Sequence, residues 1–297
     1  MLIMGLVVAY SYFTYKYSAM KKIVAVFDGL RFSESTLRFA TTLASEQQAH
    51  LVGLFLDDFT YNSFSMYKLL KEGKQPSAIR QYEEDDKKKR KTAAGHFEDA
   101  CQQAHLNYSV HHDCNIAIQD LLHESIYADL IIIDGHETFV HDEAPLPTRF
   151  IRDLLTEVQC PVLVVPGVYR EIKRIMLLYD GEPSSVHAIK MFSYLFPDLQ
   201  QLETEVLSVN SPEGGLHLED GRLMKEFMKR HFPHARYKVV EGQPEEEIIH
   251  YLMEQADGTL VVLGAYRRGA VSRWFRPSMA DVLTQAVSVP LFIAHNK

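Results

Sequence analysis

Four arginines in one short stretch are the side chains here best suited to binding chemistry. Arg267, Arg268, Arg273 and Arg276 lie between Gly264 and Ser278 with no acidic residue among them. A guanidinium group presents fixed donors that match phosphate oxygens in pairs, so the cluster points to a phosphate-bearing ligand. The alternative is a solvated or partner-facing loop, with the long side chains packed over Trp274.

Other constellations are weaker. His111, His112, Asp113 and Cys114 are consecutive, and neighbours on a strand point to opposite faces, so the two histidines do not share an ion easily. His136, His141 and Asp142 are loosely spaced, without a fourth ligand at a tight interval. The sequence contains no G-x-S-x-G elbow, no H-E-x-x-H and no G-x-x-x-x-G-K-[ST]. Glu245, Glu246 and Glu247 suit the first turn of a helix, where the dipole favours acids, and need no catalytic role.

The elements that position these groups come as a repeat. KKIVAVFDGLRFSESTLRFA at Lys21 to Ala40 aligns with KRIMLLYDGEPSSVHAIKMF at Lys173 to Phe192. Each copy has an apolar run, then Asp-Gly, then a serine five residues after the aspartate: Ser33 after Asp28, Ser185 after Asp180. Leu37, Ala40 and Leu43 or Ala44 then recur at helical spacing, as do Ile189, Phe192 and Leu195. ADLIIID ending at Asp134 matches GTLVVLG ending at Gly264, and QCPVLVVP matches SVPLFIAH. Unbroken apolar runs mark strands buried on both faces, and their alternation with helical stretches predicts an open, doubly wound parallel sheet.

Five strands are expected in each copy, near 22–27, 51–56, 107–112, 129–134 and 161–165, then near 173–179, 202–209, 236–241, 259–264 and 290–294. The first copy also carries an insert, roughly Phe59 to Arg90. Its EEDDKKKRK stretch offers four i,i+4 acid–base pairs, Glu83–Lys87 to Asp86–Arg90, as on a solvated helix.

The ordered set, found twice, resembles the universal stress protein family in its tandem two-domain form, from about Met20 to the end. That resemblance implies α/β domains of strand order 3-2-1-4-5, at 20–168 and 169–297, paired through their last strands as an internal pseudo-dimer. It also implies ATP binding in some members, through a G-x-x-G-x9-G-[ST] loop after strand four. Glycine lets backbone amides approach phosphate, and a following helix N-terminus adds its dipole. In the second copy Gly264 holds the first glycine position, Arg267 the second, Pro277 the third and Ser278 the hydroxyl position. Proline brings no amide donor. In the first copy Asp134, Glu137, Asp142 and Glu143 stand in the matching loop and would repel a triphosphate.

The resemblance implies that the aspartate after strand one lies near ribose and adenine. Asp28 is read as a turn cap, and Asp180 as a cap or a ligand contact. Thr148 and Ser278, each after a proline, are expected at helix N-caps.

Composition narrows the function classes. The chain has 297 residues, 46% hydrophobic and 24% charged, which suits two globular domains. A net charge of −8 argues against nucleic acid and anionic membrane as partners. Cys101, Cys114 and Cys160 are widely spread, which fits reduced thiols in a cytoplasmic protein. Residues 1–19 are apolar but lack a basic start and stop short of a spanning helix. They are read as an extension preceding a start at Met20, or as a disordered tail, ahead of a membrane anchor or signal peptide.

The reading is a non-enzymatic stress-response protein with ATP or another phosphate ligand in the second domain only, at Asp180, Gly264, Arg267, Arg268 and Ser278. A protein partner or a second copy of the chain is a further expectation. The alternatives are an interaction module without nucleotide, and a slow ATPase or phosphotransferase.

Overall fold

A computed structural model describes residues 20–57, 71, 76–113, 115–139, 144–211, 215–265 and 278–295. The first half runs β1 (Lys22–Asp28), α1 (Glu34–Gln47), β2 (His50–Leu56), α2 (Pro76–Gln103), β3 (Tyr108–Asp113), α3 (Ala117–Ser125), β4 (Leu130–Asp134), α4 (Arg149–Glu157) and β5 (Val162–Val165). The second runs β6 (Arg174–Leu178), α5 (Pro183–Leu195), β7 (Glu203–Asn210), α6 (Gly221–His231), β8 (Arg236–Glu241), α7 (Pro244–Gln255), β9 (Thr259–Gly264), α8 (Met279–Ala286) and β10 (Leu291–Ala294).

All ten strands form one sheet, ordered β3-β2-β1-β4-β5-β10-β9-β6-β7-β8. Each half therefore has the order 3-2-1-4-5, with every internal pairing parallel. The halves join where β5 and β10 pair antiparallel, with Leu163 beside Phe292. The inner strands are apolar on both sides because helices cover both faces. One face packs α1, α2, α5 and α6 through Phe39, Phe97, Phe192 and Met228. The other packs α3, α4, α7 and α8 through Leu121, Leu154, Leu252 and Leu283. Burying such side chains contributes about 1.5–3 kcal/mol each.

Contacts beyond the strand pair tie the halves together. The Gln47 side-chain amide, from the end of α1, donates to the Asp198 carboxylate beyond α5 at 3.4 Å. The Arg38 guanidinium lies 4.5 Å over the Tyr169 ring.

Two local expectations change. The side chain of Arg90 turns from Asp86 to Asp57 at the end of β2, 2.6 Å away, because that carboxylate is less exposed to water. Asp86 lies 3.9 Å from Lys89 instead. Most of the insert before Pro76 lies outside the described residues, as does the segment 1–19.

Candidate functional site

In an open α/β sheet a ligand crevice forms beyond the carboxyl ends of the strands, where successive connections leave for opposite faces. Here that happens between β1 and β4, and again between β6 and β9. The pair Leu177–Val262 fixes β6 against β9, so Asp180 and Gly264 sit at the same end of neighbouring strands.

The first crevice is closed by its own side chains. Asp28 Oδ1 accepts the Leu30 amide at 2.8 Å, the turn-capping role expected of it. Ser33, the N-cap of α1, accepts the Thr36 amide and donates its hydroxyl to Asp134 Oδ2 at 2.8 Å. Arg31 reaches from the β1–α1 loop to the Thr138 hydroxyl at 2.7 Å and lies 3.7 Å from Asp28. Thr148, buried at the N-cap of α4, donates to the Glu137 carbonyl and accepts the Ile151 amide. Glu137 itself is only 5% exposed. Burial first, then the negative charges of Asp28 and Asp134, push its carboxyl well above the usual glutamate range, against the pull of Arg31 and a hydrogen bond from the Asp28 backbone. Three buried acids thus meet in the first crevice, where a phosphate would need donors.

The second crevice has a different lining. Its counterparts of Asp28, Asp134, Glu137 and Thr148 are Asp180, Gly264, Arg267 and Ser278. Asp180 is exposed, and its Oδ1 accepts the Glu182 amide at 3.0 Å. The Ser185 hydroxyl bonds locally to the Glu182 carbonyl instead of crossing to the β9 side. Ser278 caps α8 in a capping box with Asp281. Gly264 is required by packing: a β-carbon there would stand 2.4 Å from the Ser184 backbone, where α5 begins.

The glycines of the two Asp-Gly turns serve packing as well. A β-carbon on Gly29 would meet Arg90 Cγ at 2.7 Å, and one on Gly181 would meet Glu219 Oε2 at 2.1 Å. Gly181 also has φ +77°, which a side chain would strain.

Three solved structures share this architecture. A universal stress protein from Archaeoglobus fulgidus DSM 4304 superposes with a TM-score of 0.67 at 14% identity, over 94% of this chain and 99% of that one. The fold is that of the universal stress proteins, in tandem. A functionally unknown protein from Pseudomonas aeruginosa PAO1 superposes with a TM-score of 0.59 at 14% identity, over 94% of each chain. A putative universal stress protein from Pseudomonas aeruginosa UCBPP-PA14 gives 0.56 and 14%, again over 94% of each. No family model matches the chain, and no curated protein does.

Against this universal stress scaffold, Asp180, Gly264 and Ser278 all sit around the second crevice, while Arg267, Arg268, Arg273, Arg276 and Pro277 lie outside the described residues. His111 bonds Glu124 on α3, whereas His112 packs on Phe55 across the sheet, so they do face opposite ways. Cys114, His141 and Asp142 fall outside the described residues. Among the described residues no group of His, Cys, Asp or Glu is arranged to hold a metal, and no helix is long and apolar enough to cross a membrane. Cys101 and Cys160 are buried and form no disulfide with each other.

Sequence reasoning passed over the β7–α6 loop. Asn210 donates to the Gly215 and His217 carbonyls, and the Tyr179 hydroxyl to the Glu219 carbonyl at 3.0 Å. Gly215 and the Asp220–Gly221 pair were turn signals in the sequence, but nothing in it tied the loop to Gly181.

Proposed function

We propose that the chain is a non-enzymatic stress-response protein of the cytoplasm, built as domains 20–168 and 169–297. Its second crevice takes up ATP or another small phosphate-bearing anion. The observation that carries this reading is the contrast between the crevices. The first is filled by three buried carboxylates and laced shut by Ser33, Arg31 and Thr148. In the second, two of those acids are replaced by Gly264 and Arg267. The start of α8 adds a favourable dipole for an anion, its Ser278 and Ala280 amides being bonded within the cap. Asp180 faces solvent at the rim, free to contact the ligand's hydroxyl groups.

Calorimetry with ATP and Mg²⁺ tests the proposal. Saturable binding is expected, weakened about tenfold or more by Arg267→Ala and measurably by Ser278→Ala. Saturating ATP without heat or thermal shift would overturn it and leave an interaction module. That second reading draws on Gly29 and Gly181, whose open faces are taken by Arg90 and Glu219. Steady ADP release, lost in both variants, would establish the slow ATPase or phosphotransferase instead.

A further inference from the structure

The second crevice has a charged neighbour that no requirement of the fold explains. The loop from β7 to α6 returns over the carboxyl end of β6 and is pinned there at both ends. The Asn210 amide holds Gly215 and His217, at 2.6 and 2.7 Å. The Tyr179 hydroxyl holds the Glu219 carbonyl at 3.0 Å. Asp220 then starts α6 from a left-handed conformation, φ +44°. This backbone lays the Glu219 side chain along the open face of Gly181, one residue from Asp180. The Glu219 carboxylate is exposed and pairs with no cation among the described residues. Burial, together with the charges of Asp220, Glu219 and Asp180, pushes the Tyr179 phenol up, a sign that the negative field reaches the end of β6.

The first half solves the same packing problem with the opposite charge. The side chain over Gly29 there is Arg90, already paired with Asp57. Covering the glycine therefore does not demand a carboxylate. A negative charge held beside Asp180 disfavours any anion entering from that side, and water weakens the effect without abolishing it.

We propose that Glu219 is a built-in competitor of the anionic ligand. It lowers affinity for highly charged phosphates and leaves the β7 side of the crevice to hydrogen-bond donors such as hydroxyl or amino groups. The inference rests on the reading of the second half as a phosphate-ligand site. Its role is in positioning charge and setting specificity.

The test is calorimetry of the full chain with ATP in EDTA buffer, so that no divalent cation bridges ligand and carboxylate. Wild type, Glu219→Gln and Glu254→Gln are compared at low and high salt. Glu254 is an exposed acid on α7, so its variant controls for net charge. Glu219→Gln is expected to bind ATP about three- to tenfold tighter at low salt, with the gain shrinking as salt rises, while Glu254→Gln matches wild type. Binding by wild type with no gain in Glu219→Gln, or an equal gain in Glu254→Gln, would overturn the competitor role alone. Absence of binding in all three proteins, with and without Mg²⁺, would remove the phosphate-site reading and the competitor with it.

Discussion

Glu137 shows how one side chain can decide what a crevice accepts. Its carboxyl is nearly inaccessible to water and faces Asp28 and Asp134, so its pKa in the folded chain stands above that in the unfolded chain. The folded protein therefore keeps a proton that the unfolded one releases earlier. The stabilisation is complete below the ordinary glutamate range and is lost as pH rises through the raised value. Glu137→Gln has no such proton to lose. By circular dichroism it should melt about 2–4 °C above wild type at pH 8 and close to it at pH 4. Parallel melting curves across that range would contradict the burial argument. The sequence disclosed that Glu137 was an unwelcome neighbour for phosphate. Its burial was hidden there, because it depends on the end of β1 meeting the β4–α4 loop, two segments far apart in the chain.

At the scale of elements, the start of α5 packs tightly against the end of β9 in the second half. Gly264→Ala would drive a methyl group into the Ser184 backbone, which has no rotamer to change. Gly29→Ala meets the flexible stem of Arg90 instead. The first substitution should cost about 1–3 kcal/mol in urea unfolding and the second clearly less. Equal losses would mean that α5 can slide. Strands of this kind are plain in the sequence: the run expected at 51–56 forms as His50–Leu56, and that at 173–179 as Arg174–Leu178. A continuous apolar run has few other places to go. The N-caps at Thr148 and Ser278 were equally readable, since capping is a local bond. Arg90 was not, because its partner Asp57 is supplied by tertiary structure rather than by the helix. The Asp-Gly turns were found for the right residues, yet the use of their glycines depended on side chains far along the chain.

For the whole molecule, the joint between β5 and β10 carries the assembly. Its strand pairing, with the Gln47–Asp198 hydrogen bond beside it, holds the halves together independently of the connecting chain. A protease site inserted between Val168 and Tyr169 should therefore cut the chain without parting it. The nicked protein is expected to elute at the intact size in gel filtration and to separate only on denaturation. Elution as two smaller species would show that the covalent link is essential.

The antiparallel sense of that joint has a consequence for how the protein meets its surroundings. Strands of the two halves run in opposite directions, so their carboxyl ends, and the crevices beyond them, open at opposite poles of the molecule. On the proposed reading only the pole of the second half takes a ligand, which makes a repeat of two similar halves into a one-ended receptor. That reading sets ligand uptake at one per chain, measurable as the stoichiometry of the ATP titration.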